Sequence, residues 1–161
     1  MKHAKNELIE VSNHLFYELW MFMGIAKEMQ SGRYSQGTIV SNALLEAFTI
    51  HIRVLLSFLY EHKKRPDDVV AEDFFPKEKD WLEYRPEMPI SLKNVNRRVG
   101  KEVAHLTYFR LKVTPDTKPW PFVDITKDMV KVFDKFLEEV PKDFLHTSWN
   151  QYCLIKNKNT P

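Results

Sequence analysis

The chain has little glycine, a single cysteine and no long uninterrupted apolar run. None of the four glycines falls into the GxGxxG or GxxxxGK[ST] patterns, whose glycines let a backbone approach phosphate, so Rossmann and P-loop nucleotide sites are excluded. Cys153 stands alone, which excludes an intrachain disulfide and a thiolate zinc cluster. No stretch has the length of a membrane span, and the first ten residues lack the apolar run of a signal peptide. We therefore expect a cytoplasmic protein with no membrane partner.

The composition is that of a folded domain with nearly balanced charge. Hydrophobic residues make up 43% and aromatic residues 13% of the chain, which is enough to build a core. Lys and Arg number 24 against 22 for Asp and Glu, a net charge of +2, so the overall charge does not by itself indicate a nucleic-acid partner. A length of 161 residues predicts one domain. We place this domain at residues 1–141 and expect residues 142–161 to form a partly ordered C-terminal extension.

Four stretches carry apolar residues at steps of three and four, the spacing of one helix face. They predict long helices over about 4–30, 38–62, 91–111 and 124–140. The connection between residues 64 and 90 contains four prolines and the segment DDVVAEDFF, which predicts a short additional helix. No strand alternation occurs. The sequence therefore predicts an all-α fold, an up-and-down bundle of four long helices with a short additional helix in the 64–90 connection.

The first predicted helix is apolar on more than one side. A small bundle buries only one face of such a helix. We therefore expect a homodimer to which the face bearing Phe16, Trp20 and Met23 contributes. The alternative is that the aromatic residues of the 64–90 connection cover this helix within one chain.

Polar residues line one stripe on the second predicted helix and another on the third. Asn42, Glu46 and Arg53 lie at helical spacing on the second. Arg98 and His105 are seven residues apart on the third, which places them two turns apart within about 20° of the same azimuth. Facing stripes in a bundle either meet as a structural ion-pair network or line a groove. Both alternatives are compatible with the sequence.

A histidine and an arginine on one helix face can act on a phosphodiester without a metal. The imidazole carries a proton near neutral pH, and the guanidinium binds a phosphate through two N–H groups. The stretch RVGKEVAH, from Arg98 to His105, resembles the Arg-x(4–6)-His signature of the HEPN superfamily. Val99 departs from this signature, because the family commonly carries Asn, Asp or His at that place.

The resemblance implies a four- or five-helix bundle whose dimerisation brings two Arg/His pairs into one cleft. Many HEPN proteins are metal-independent ribonucleases of toxin, defence or stress systems, and others bind nucleotides or act as inactive partners. It implies that His105 transfers protons at the 2′-hydroxyl and that Arg98 grips the scissile phosphate. RNA or a nucleotide and an antitoxin-like protein are the partners that we expect, with no cofactor. The expected catalytic residues are Arg98 and His105, with Glu46, Asn42, Glu102 and Arg53 in supporting positions.

Two other interpretations remain open. In a non-catalytic dimeric module, the polar stripes would only fix the register of the helices. In a metal-binding bundle, Glu102 and His105 would form the ExxH pair that di-iron bundles use, and His14 and His51 would join His105 in the interior. No second ExxH occurs in the chain, and we predict no metal site.

Overall fold

Helices account for all the regular structure in residues 4–75 and 80–159, the parts of the chain that the computed structural model describes. The long helices are α1 (Lys5–Gln30), α2 (Ile39–Tyr60) and α5 (Phe122–Glu139). Two short helices, α3 (Trp81–Tyr84) and α6 (Tyr152–Asn159), are accompanied by 3₁₀ segments at Ala71–Phe74, Tyr108–Lys112, Lys142–Phe144 and Thr147–Gln151. Between them α4 (Ile90–Arg98) continues as a π-helical stretch, Val99–Ala104. The all-α prediction is confirmed.

The third predicted helix is shorter than expected. The π-helical stretch ends at Ala104, and His105 is extended with φ −129° and ψ 145°. Leu106, which the spacing placed on the apolar seam, is 92% exposed. A π-helical turn holds more residues than an α-helical turn, so it rotates the residues that follow away from the seam. The prediction of a helix to residue 111 is wrong, and the bundle of four long helices is not confirmed.

The turn between α1 and α2 depends on two glycines. Gly32 and Gly37 have φ of 69° and 79°, in the left-handed region that residues with a Cβ rarely adopt. The side chain of Thr38 then accepts a hydrogen bond of 3.2 Å from the backbone N–H of Ser41. This N-cap satisfies one of the donors that the first turn of α2 leaves unpaired. The turn brings α1 and α2 into direct contact with each other.

Aromatic rings around Phe136 of α5 form the centre of the core. The Phe136 ring is fully buried, and its centroid lies 5.3 Å from that of Phe58 and 5.6 Å from that of Trp81. Phe74 is 6.0 Å from Phe136. The indole N–H of Trp81 donates to the carbonyl of Leu59 at 2.9 Å, which satisfies an acceptor in the last turn of α2. The 64–90 connection therefore contributes its aromatic residues to the core, where they pack against α2 and α5.

The segment after Pro141 belongs to the same core. Trp149 is 7% exposed, and its indole N–H donates to the carbonyl of Ser12 in α1 at 2.9 Å. The hydroxyl of Tyr152 donates to Asp134 of α5 at 2.9 Å, and burial raises the pKa of Tyr152. Side chains that follow the boundary expected at residue 141 are therefore buried against α1 and α5.

Two of the three residues expected at a homodimer interface are covered by the chain itself. Met23 is fully buried. Phe16 packs edge-on against Trp149, with the ring centroids 5.4 Å apart. Only Trp20 remains available, 46% exposed beside Tyr17. Phe16 and Met23 are therefore covered within one chain, and the homodimer itself stays a prediction.

The outward side of α2 is strongly apolar. In the part of the chain that the structure describes, α2 is the one helix whose length and composition would allow it to cross a membrane, a test that core helices also pass. Only 39% of the most apolar 18-residue stretch of α2 is buried inside the protein. Four large apolar residues of α2 have exposed fractions from 42% to 89%: Ile39, Val40, Ile50 and Val54.

Candidate nucleic-acid interface

Positive charge is concentrated in α4 and in the chain that joins α4 to α5. Residues 93–118, called the basic segment below, contain seven Lys and Arg residues and two Asp and Glu residues, a formal charge of +5 in a chain of +2. The rest of the chain is therefore negative, and a polyanion would be attracted to this segment. Six of its seven cations are exposed: Lys93, Arg97, Lys101, Arg110, Lys112 and Lys118.

Exposed apolar and aromatic side chains are interspersed among these cations. Tyr108 is 88% exposed and Phe109 is 36% exposed. Leu106 and Leu111 are 92% and 84% exposed. Aromatic rings beside positive charge provide stacking platforms for the bases of single-stranded nucleic acids. We did not predict this surface from the sequence, because the stretch was assigned to a helix with an inward seam.

Arg98 is held by four hydrogen bonds within its own chain. Its Nε and Nη2 donate to the two carboxylate oxygens of Glu102, each at 2.8 Å. Its Nη1 donates to the carbonyl of Pro119 at 2.9 Å, and Nη2 also donates to that of Lys118 at 3.1 Å. The guanidinium carbon lies 4.2 Å from the centroid of the Trp120 ring. Four of its five N–H groups are therefore used.

These bonds join the π-helical stretch to residues 118–120, called the 118–120 loop below. The side chains of Arg98 and Glu102 are only 14% and 13% exposed, so their bidentate pairing is sheltered from solvent. Val99, at the place where the HEPN signature commonly has a polar residue, is 3% exposed and lies in the core. The structure thus brings Arg98 and Glu102 together as an internal ion pair.

His105 lies at the point where the helix ends. It is exposed, and in the described residues its ring takes part in no hydrogen bond or ion pair. The hydroxyl of Thr107 donates to the carbonyl of Lys101 at 2.6 Å, and Arg110 Nη2 donates to that of Val103 at 3.0 Å. Both bonds satisfy carbonyls at the C-terminal end of the π-helical stretch. They fold the chain after His105 back onto this stretch.

Two cavities lie on either side of the 118–120 loop. The larger, about 230 Å³, is lined by Glu102, Arg110 and Lys118 among others. The smaller, about 120 Å³, has Asn42 in its wall. Lys118 and Trp120 line both cavities. The loop that Arg98 holds therefore lines both cavities.

The residues predicted on the second helix are only partly brought to this region. Asn42 lines the smaller cavity, whereas Glu46 and Arg53 are exposed on α2. Within the described ranges, no side-chain hydrogen bond joins any of the three to Arg98 or His105. The expectation that Asn42 and Glu46 orient the Arg98/His105 pair therefore has no hydrogen bond to support it.

Glu102 and His105 are not arranged as a metal-binding pair. Glu102 uses both oxygens on Arg98, and His105 lies beyond the helix end. Among the residues described here, no group of three or more His, Cys, Asp or Glu side chains is placed to hold a metal ion. The ring of His51 is bonded to Glu18 at 2.7 Å, and His14 lines a separate cavity of about 410 Å³.

No family model, curated protein or solved structure matches this chain. A function is therefore inferred from the residues of the basic segment. They are an exposed histidine, six exposed cations and exposed aromatic rings in one segment, supported by a sheltered arginine.

Replacement of Arg98 by alanine should destabilise the protein. It would leave Glu102 as a sheltered unpaired carboxylate, at a cost of about 2–4 kcal/mol, while water could donate to the two exposed loop carbonyls. Lysine should not restore stability, because one ammonium cannot bond both carboxylate oxygens and the loop carbonyls.

Thermal unfolding followed by circular dichroism would measure this, with an expected fall in Tm of about 5–10 °C for R98A. The exposed neighbour Arg97 provides the matched control, and R97A should change stability by no more than about 0.5 kcal/mol. Equal Tm values for R98A and wild type would contradict the structural role of Arg98.

Proposed function

We propose that this chain is a HEPN-like RNA-binding domain and a metal-independent endoribonuclease that uses His105. The observation that carries the proposal is the basic segment, which holds exposed cations, exposed aromatic rings and an exposed histidine within 26 residues. Phosphate neutralisation and base stacking are the two main contributions to the binding of single-stranded RNA. His105 stands among these groups with its ring available to a ligand.

Cleavage of RNA at this surface needs one proton carrier and no cofactor. His105 accepts the proton of a 2′-hydroxyl as that oxygen attacks the adjacent phosphorus. The bond from phosphorus to the 5′-oxygen breaks, and the leaving oxygen takes a proton from the imidazolium or from water. The products are a 2′,3′-cyclic phosphate and a free 5′-hydroxyl. Imidazole suits this work because it gains and loses a proton near neutral pH.

Membership of the HEPN superfamily is part of the proposal. Arg98 and His105 keep the spacing that carries the resemblance, and an all-helical fold is compatible with it. Through the resemblance the proposal also includes an up-and-down order of the four main helices and a toxin or defence setting with an antitoxin-like partner. The bonding of Arg98 differs from the phosphate-gripping role that the resemblance implied.

RNA binding and cleavage by wild type and His105→Gln test the proposal. The probe is a 5′-labelled single-stranded RNA of about 20 nucleotides, in excess chelator. Wild type should bind with an affinity that falls as salt rises. His105→Gln should retain binding and lose roughly 10²–10⁴-fold in cleavage rate.

His14→Gln is the matched control, because His14 is an exposed histidine outside the basic segment, and it should cleave like wild type. Absence of RNA binding at low salt would contradict the proposal, as would cleavage that the chelator abolishes.

A non-catalytic dimeric module is the second candidate function, and a particular surface favours it. The outer face of α1 and α2 is apolar, and the α2 part of it follows steps of four, three and four, the spacing of a helix–helix seam. The Tyr17 ring lies 6.0 Å from His51, so α1 continues this face. A second copy would cover it with the same stripe, because a two-fold dimer pairs equal surfaces. The face comprises Tyr17, Trp20, Ala43, Ala47, Ile50 and Val54.

Ile50→Lys should dissociate such a dimer, because Ile50 lies in the seam and a lysine there would place a charge in an apolar interface. Light scattering should give about twice the chain mass of 19.2 kDa for wild type and the chain mass for the variant. Leu154→Lys, at an equally exposed apolar position on α6 outside this face, should remain dimeric. A wild-type mass of one chain at micromolar concentration would exclude this homodimer.

A further inference from the structure

We infer, on the basis of the proposed function, that Arg110 and Lys118 form the phosphate-binding pair of the basic segment. Their ligand is the phosphodiester backbone of single-stranded RNA, and the recess between them is the cavity of about 230 Å³. Arg98 supports this pair from inside the protein and does not contact the phosphate.

Arg98 lacks the free donors that a phosphate ligand requires. Only one of its five N–H groups is unused, and a bidentate grip needs two. A phosphate at Arg98 would have to displace Glu102 or the carbonyls of the 118–120 loop. It would also lie beside the Glu102 carboxylate, where like charges repel.

Arg110 has the donors and the access that Arg98 lacks. It is exposed and lines the cavity. One of its terminal nitrogens donates to the carbonyl of Val103, which leaves the other N–H groups for a ligand. In the described residues it forms no ion pair. The bond to Val103 fixes the guanidinium before RNA binds, which lowers the entropy lost on binding.

Lys118 supplies the second charge of the cavity. Its backbone N–H donates to the carbonyl of Thr114 at 2.9 Å, and its own carbonyl accepts from Arg98. Its side chain is exposed and, across the described ranges, has no ion-pair partner. The nearby carboxylate of Glu102 is already neutralised by Arg98. Two uncompensated positive charges therefore face a recess large enough for a phosphate group with bound water.

The neighbouring aromatic residue favours a polynucleotide over a free phosphate. Tyr108 precedes Arg110 by two residues in the same 3₁₀ segment and is 88% exposed. A base can stack on this ring while its phosphate lies at the cavity. Duplex RNA keeps its bases paired and stacked, so the arrangement favours a single strand.

The salt dependence of RNA binding tests the assignment, because the slope of log K against log salt counts phosphate contacts. The probe is a 2′-O-methyl oligouridylate, which has no free 2′-hydroxyl and cannot be cleaved. Arg110→Gln and Lys118→Gln should each reduce the slope by about 0.7 for the lost contact. Arg110 and its bond to the Val103 carbonyl are exposed to solvent, so water can replace the lost donor and the Tm of Arg110→Gln should lie close to that of wild type.

Two further variants separate the phosphate pair from its support. Arg98→Gln should lower Tm and weaken RNA binding, because the 118–120 loop loses its support, while the slope, which counts phosphate contacts, stays at the wild-type value below its Tm. Lys131→Gln removes a charge on α5 outside the basic segment and should change neither quantity. If Arg110→Gln does not fold, the slope measured for Lys118→Gln tests the assigned phosphate-binding pair.

The outcomes distinguish the inference from the proposed function. Absence of wild-type binding at low salt would overturn both. Binding with an unchanged slope in Arg110→Gln and Lys118→Gln would overturn only the assigned pair. A reduced slope in Arg98→Gln with an unchanged Tm would show that Arg98 itself contacts the phosphate.

Discussion

The ion pair and carbonyl bonds of Arg98 fix the geometry on which the proposed RNA surface depends. One guanidinium joins the π-helical stretch to the 118–120 loop and lies against Trp120, whose ring is edge-on to the core residue Phe48 at 6.4 Å. This places Lys118 at one wall of a cavity, and the bond from Arg110 to Val103 places a second cation at another. An arginine with four of its five N–H groups already bonded stabilises the structure and is poorly suited to bind substrate.

The two candidate functions use different surfaces of the molecule. The basic segment is charged and carries His105, whereas the outer face of α1 and α2 is apolar and includes Ile50 and Val54. RNA would be attracted by the first and would gain little from the second. A domain that dimerises through α2 and binds RNA through the basic segment would use both, and neither role requires a metal or a cofactor.

Local spacing was sufficient to predict the long helices α1, α2 and α5, but not α6 or the end of the third predicted helix. The apolar steps of α1, α2 and α5 are regular, and the aromatic residues near Phe74 marked a packed connection. The apolar step at Leu106 continues in the sequence, but the helix ends at Ala104, and Arg98 is bonded to carbonyls 20 and 21 residues further along the chain. Which carbonyl or carboxylate accepts hydrogen bonds from an arginine depends on the tertiary structure, so local spacing does not predict it. The charge of residues 93–118 was present in the sequence and would have indicated the basic segment.

Hydrogen–deuterium exchange with and without the uncleavable RNA tests most directly where RNA binds. Most amides from His105 to Lys118 lie outside regular helices, so they should exchange rapidly in the free protein. The account predicts that saturating RNA slows exchange in residues 101–118 and leaves the outer face of α1 and α2 unchanged. Protection confined to α1 and α2, with none in residues 101–118, would contradict it.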